Sequence, residues 1–245
     1  MNKTFICDLD DTLIFNQAKY SYAQVNFVKW ALDSFGPRTP NAQKILQLQI
    51  AKDMKAVGTS AFSADRFPQS FADTYLELAR EMGITEEEII ERKSKEAFAI
   101  GAQVHDPATW KKELIPGADE VLTQLKLRGD ELYLVTTGDP AVQEKKIEFY
   151  EIGRYFQPGR IHIVPHKKDS KIEEICLGRD RRNIWFVGNS KRSDIKPALE
   201  ARIGAIHIPQ DTWAYEEHVL DELDTTRLTT LKDIRDLIPQ YDSLK

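Results

Sequence analysis

Cysteine is scarce in this chain. Cys7 and Cys176 are the only two among 245 residues, and no Cys-x-x-Cys pair occurs. That excludes a disulfide framework and a cysteine-based zinc site. Two reduced, half-buried thiols in a cytosolic protein are expected instead. Apolar runs are short: nothing approaches the roughly eighteen consecutive apolar residues of a membrane span. The N-terminus has no basic segment leading into an apolar one, so no signal peptide is read there and a cytoplasmic location is expected. Positive charge is not in excess, with 34 Lys and Arg against 39 Asp and Glu and a net charge of −5. A general affinity for nucleic acid or for an anionic membrane needs a basic surface and is not expected. The local cluster Arg179-Asp180-Arg181-Arg182 reads as a solvated loop. No glycine pair is spaced G-x-G, and no P-loop, HExxH or GxSxG motif is present, which removes the usual signatures of dinucleotide, nucleotide, zinc-protease and serine-hydrolase chemistry. The five histidines show no ligand spacing, and Trp213 and Tyr215 read as packed loop residues.

The composition is that of a globular protein, with 41% hydrophobic and 30% charged residues. Short apolar runs at 3–8, 131–137, 160–164, 183–188 and 204–209 read as strands buried on both faces, as in parallel sheets. Amphipathic stretches at 117–128, 141–151, 169–177 and 194–202 alternate with the last four. This alternation predicts an α/β fold with helices on both faces of a parallel sheet. The interval 16–114 contains no strand-like run. Four helices are read in it: 18–35, 41–57, 68–82, and one starting after Thr85 with Glu88 completing a capping box. The expected organisation is therefore an α/β core of 1–15 and 115–245 interrupted by an all-helical insert, 16–114. A last short helix is expected at 230–238.

The stretch Phe5-Ile-Cys-Asp-Leu-Asp-Asp-Thr-Leu-Ile-Phe15 sets three carboxylates, Asp8, Asp10 and Asp11, at the end of the first strand. Ligands of open parallel sheets bind beyond the carboxyl ends of the strands. In an extended segment residues 8 and 10 face the same way. Two such carboxylates can share a hard divalent cation, or divide the roles of nucleophile and acid–base group. Asp11 points elsewhere and reads as a turn cap. The second strand ends in Thr136, Thr137 and Gly138, good donors to phosphate oxygens. The third is followed by Lys167 and Lys168, and the fourth by Asn189 and Asp194, further oxygen ligands for a cation.

In this order, DLDDTL, LVTTG, HKK and GNSKRSD, the sequence resembles the haloacid dehalogenase superfamily, in its phosphatase branch. The resemblance implies a Rossmann-like core, with the insert as a helical cap of the C1 type. It implies a Mg²⁺-dependent phosphohydrolase acting on a small phosphorylated metabolite, as a monomer or homodimer. Asp8 would be the nucleophile and form an aspartyl-phosphate. Asp10 would be the general acid and base. Thr136, with Thr137 and Gly138, would bind phosphate. Lys167 or Lys168 would be the motif lysine. Mg²⁺ would lie on Asp8, the Asp10 carbonyl, and Asn189 or Asp194. Counting from the third strand favours Lys167, whereas pairing with the following Asp169 favours Lys168; Lys167 is preferred. Asn189 departs from the aspartate many members carry, and removes one negative charge. The same fold also hosts 2-haloacid dehalogenases, which lack the second aspartate, and phosphomutases. A non-catalytic binding module is the alternative outside enzymes.

Overall fold

In the computed structural model, residues 2–60, 63–210 and 219–244 are described; Trp213 and Tyr215 lie outside them. The chain divides into two compact units, 1–17 with 112–245, and 18–111.

The first unit is built on a six-stranded sheet with strand order β3-β2-β1-β4-β5-β6 and every pairing parallel. Its strands are β1 (Thr4–Cys7), β2 (Glu131–Thr137), β3 (Ile161–Val164), β4 (Ile184–Gly188), β5 (Gly204–His207) and β6 (Leu228–Thr230). Parallel strands need crossovers, and the helices α5 (Ala118–Leu127), α6 (Pro140–Phe149), α7 (Asp169–Cys176) and α8 (Lys196–Glu200) precede or connect them. This is an α/β, Rossmann-like arrangement. β1 is buried at all four positions because it pairs with β2 on one side and β4 on the other. From β1 the chain steps outward through β2 to β3, then crosses back to β4 on the other side of β1 and continues outward to β6, so the carboxyl end of β1 lies at the switch point where such sheets bind ligands. Under the sheet, Ile6, Val135, Ile172, Phe186, Ile195 and Ala205 belong to one apolar cluster.

Two expectations for this unit are corrected. The edge strand β6 lies where no strand is expected, and overlaps the expected helix 230–238 only at Thr230. The expected helix 230–238 is instead a strand end, a 3₁₀ turn at Ile234–Asp236 capped by Asp233, and the single helical turn α9 (Leu237–Gln240). The expected helix 194–202 is in fact a π-type turn over Lys191–Ile195 running into the short α8.

The second unit holds four helices, α1 (Gln17–Phe35), α2 (Ala42–Ser60), α3 (Arg66–Glu81) and α4 (Glu87–Ala102). Their shared core is aromatic: Phe27, Phe35, Phe67, Phe71 and Tyr75 are buried together, with Phe27 and Phe71 ring centroids 4.5 Å apart. The capping box read at Thr85 and Glu88 does not form. Glu86 occupies the position before α4 and makes no side-chain cap bond. Among the described residues no helix is long and apolar enough to cross a membrane.

Candidate active site

The turn after β1 is fixed by its own backbone. The Leu9 carbonyl accepts from Leu13 N at 2.9 Å and from Ile14 N at 3.1 Å, while Asp11 N donates to the Ile14 carbonyl at 2.8 Å. Asp11 sits at φ +56°, a region that Asp tolerates better than most residues. Its Oδ1 accepts from Asn16 N at 2.8 Å and Gln17 N at 2.9 Å, so it caps the start of α1. Leu9 is fully buried, and the alternation of an extended chain turns Asp8 and Asp10 away from it.

Asp8 is buried at the sheet end. Its Oδ1 accepts from Lys168 Nζ at 2.5 Å, and the same ammonium donates to Asp194 Oδ1 at 2.5 Å. Burial, the Asp194 charge and the Asp10 charge push the Asp8 carboxyl up, against the pull of Lys168, to about 7. Burial alone would lower the Lys168 ammonium, but its two carboxylates outweigh that and hold it above the ordinary value. Lys168 is therefore the lysine brought to Asp8, and the preference for Lys167 is corrected. Lys167 is exposed. Lys168 immediately precedes α7, whose first turn carries its backbone inward: its carbonyl accepts from Ile172 N at 2.9 Å. Counting from β3 missed this because Pro165, His166 and Lys167 form an exposed loop before the chain turns in.

Asp194 reaches Lys168 from the π-type turn, where the widened helical ring re-aims side chains. Its Oδ2 accepts from Ser190 N at 3.0 Å. Gly188 is required here: a Cβ at that position would collide with the Asp194 carboxylate. Asn189 Oδ1 accepts from the Thr12 hydroxyl at 3.2 Å, and the Asn189 carbonyl faces His207 Nε2 at 3.0 Å. Sequence reasoning had Asn189 beside the site but not its tie to Thr12.

Asp10 is held by two residues that sequence reasoning did not single out. Lys146 Nζ donates to both carboxylate oxygens, at 2.9 and 2.8 Å, and Gln143 Nε2 donates to Oδ2 at 3.1 Å. Both come from α6, which begins directly after Gly138 because Asp139 caps it and Pro140 occupies its first turn. Gln143 Nε2 also lies 2.8 Å from Thr136 Oγ1 and 3.0 Å from the Thr137 carbonyl. The Thr136 hydroxyl oxygen thus accepts a hydrogen bond from Gln143, and its own O–H is left to donate. Thr137 and Gly138 follow at the strand end, where the Thr137 hydroxyl oxygen is buried without a hydrogen-bond partner. Tyr150, which directly follows α6, is pushed up to about 12 by burial and by the Asp10 charge. Cys7, next to Asp8, is likewise pushed up to about 12, by burial and then by Asp8, so it stays a thiol.

Asp8, Asp10, Thr136, Lys168, Asn189 and Asp194 therefore gather at one sheet edge. Among the described residues no group of three His, Cys, Asp or Glu side chains is placed to hold a metal. A dedicated carboxylate or imidazole cage is not what the donors offer. They offer all-oxygen ligands: the Asp8 and Asp194 carboxylates and the Asn189 amide oxygen. That set fits Mg²⁺, which takes one or two carboxylates and completes its shell with water and substrate phosphate.

Comparison with known proteins gives the family. The model of the haloacid dehalogenase-like hydrolases matches residues 2–202. The chain belongs to that family. It is accordingly a hydrolase, and the residues gathered at the end of β1 lie within the matched span. A search of curated proteins gives no match. Among solved structures, a haloacid dehalogenase-like family hydrolase from Xanthomonas campestris is 22% identical, with 99% of this chain and 96% of that one covered and a TM-score of 0.73. A predicted phosphoglycolate phosphatase from Haemophilus somnus is 18% identical, covering 98% of each chain at a TM-score of 0.59. A 2-haloacid dehalogenase from Pseudomonas syringae is 17% identical, covering 100% of each chain at a TM-score of 0.54. At these identities the likeness establishes the fold, and phosphatases and dehalogenases both stand among the neighbours.

Proposed function

We propose that this hydrolase cleaves a small phosphate monoester, with Mg²⁺, through an aspartyl-phosphate on Asp8. The observation that carries the reading is the second aspartate. Asp10 lies two residues beyond Asp8, its carboxylate held by Lys146 and Gln143 beside the nucleophile's strand end. A 2-haloacid dehalogenase attacks carbon, has no leaving alkoxide to protonate, and in the family pattern lacks this residue. A phosphatase needs it.

In this reading an Asp8 oxygen attacks phosphorus while the bond from phosphorus to the ester oxygen breaks. Asp10, which enters this step protonated, gives that proton to the leaving oxygen, and the alcohol departs. Asp10 then takes a proton from the water that attacks the phosphoryl group. Phosphate leaves and the Asp8 carboxylate is regenerated. Thr136 donates its hydroxyl to a phosphate oxygen, assisted by the backbone at Thr137 and Gly138. Lys168 orients Asp8 and offsets the charge that accumulates between Asp8, Asp194 and phosphate. Asp8, the Asp10 carbonyl, and Asn189 or Asp194 would hold Mg²⁺. Bound there, the ion screens the repulsion between carboxylate and phosphate. The helical unit is read as the cap that confers substrate selectivity.

Phosphate release from a generic aryl phosphate tests this reading. Release that requires both Mg²⁺ and Asp8, and is lost in Asp8→Asn with the fold intact, supports it. Undiminished release by Asp8→Asn overturns it.

A further inference from the structure

The three carboxylates of the site are matched by two buried lysines. Lys168 serves Asp8 and Asp194, and Lys146 serves Asp10. Lys146 is 3% exposed, a burial an ammonium tolerates only with a close counter-charge. It stands on a helix face otherwise used for packing: Val142, Lys146 and Tyr150 are buried at successive four-residue steps. A core position filled by lysine, with its ammonium spanning both oxygens of one carboxylate, fixes that carboxylate's orientation.

Gln143, 1% exposed, lies one turn earlier. Its amide assignment follows from its surroundings. The Asp10 carboxylate and the Thr137 carbonyl only accept, so the nitrogen must face them. That nitrogen carries two hydrogens but lies within 3.1 Å of three acceptors, on Asp10, Thr136 and Thr137. Its own Oε1 is buried with no hydrogen-bond partner, an arrangement that burial penalises and that structural packing alone does not call for. One amide thereby links the acid–base carboxylate to the phosphate-binding hydroxyl.

We infer that Lys146 and Gln143 are positioning residues: Lys146 sets the orientation of the Asp10 carboxylate, and Gln143 couples it to the Thr136 hydroxyl, so that leaving-group protonation and phosphate binding are aligned by one face of α6. The inference rests on the phosphatase reading for its chemistry, but its geometric content stands apart from it.

The test pairs a kinetic with a structural measurement on the full chain. Values of kcat/KM are measured for an alkyl phosphate, whose leaving group needs a proton, and for 2,4-dinitrophenyl phosphate, whose leaving group does not. In Lys146→Met the alkyl ester should lose about 100-fold, and the dinitrophenyl ester far less. Gln143→Leu should in addition weaken competitive inhibition by inorganic phosphate, whereas Lys146→Met should not. Equal losses on both esters would mean that Lys146 is merely structural and would overturn the inference. Should Lys146→Met not fold, Lys146→Arg keeps the charge but shifts the donors, and the same unequal loss is expected. Crystal structures of the wild type and the Lys146 variant supply the readout free of activity. Asp10 should turn away from its wild-type orientation while Asp8 stays in place; an unmoved Asp10 overturns the inference. Wild-type protein silent on every ester would defeat the phosphatase reading, and the two crystal structures would still decide the role of Lys146.

Discussion

At the level of single residues, the buried triad Asp8–Lys168–Asp194 is the feature with the most energetic consequence. Its lysine touches two carboxylates, and removing it leaves both facing each other without a counter-ion. Lys168→Met is therefore expected to lower stability by about 3–5 kcal/mol at neutral pH, measured by urea unfolding, and to abolish phosphate release. Lys167→Met, at an exposed neighbour, should change stability by no more than about 0.5 kcal/mol and keep activity. Equal effects of the two would contradict the assignment. Asp8 gives a pH signature of its own. Its carboxyl sits at about 7 in the folded protein against an ordinary 3.8. Between those values the folded state binds the extra proton, so stability without metal declines as pH rises from near 4 through 7. Asp8→Asn removes that titration. The variant should show a flatter Tm profile over this window and exceed the wild type in Tm at neutral pH, as is common where a site is built for chemistry. Asp8, Asp10, Thr136, Asn189 and Asp194 were all legible as candidates because each closes a strand or follows one at a motif spacing. Gln143 and Lys146 were not. On an amphipathic stretch a glutamine and a lysine read as solvent-facing, and only their position in line with Val142 and Tyr150 hints otherwise.

Among the secondary-structure elements, the strands with fully apolar runs were readable, since burial on both faces leaves little else for such a run to be. The edge strand β6 was not. Its Leu-Thr-Thr is short and partly exposed, and among the described residues pairs only with β5. The π-type turn over Lys191–Ile195 was read as ordinary helix because its sequence carries nothing that distinguishes the wider ring. Yet that turn decides where Asp194 points. Gly188 makes room for it, so Gly188→Ala is expected to displace the Asp194 carboxylate. A stability loss of about 1–3 kcal/mol should follow, with a larger fractional loss of activity, read by thermal melts and phosphate release together. A variant with wild-type activity would show that the Asp194 position is not critical. The cap on α1 makes a smaller contribution: Asp11→Ala should cost about 1 kcal/mol of stability, because two backbone N–H groups lose their acceptor.

Across the whole molecule, sheet chemistry and helical insert follow different rules. The α/β unit carries every motif residue, and its parallel order brings them to one edge, which is why four separate sequence segments were readable as one site. The helical unit, residues 18–111, is organised by aromatic packing around Phe27, Phe71 and Tyr75. That pattern specifies a bundle but names no substrate, so its chemistry was not legible. Truncating the core in Phe71→Ala should destabilise by about 3–5 kcal/mol, without touching the residues at the end of β1. The central claim, that Asp8 is the group that accepts the phosphoryl, is open to direct observation. Turnover of an aryl phosphate with Mg²⁺ is quenched in acid within a single turnover, and the digested protein is weighed by mass spectrometry. One phosphoryl group is expected on the peptide containing Asp8, absent from Asp8→Asn. Phosphate released at full rate with no phosphoryl adduct at Asp8, or with the adduct on another residue, would contradict it.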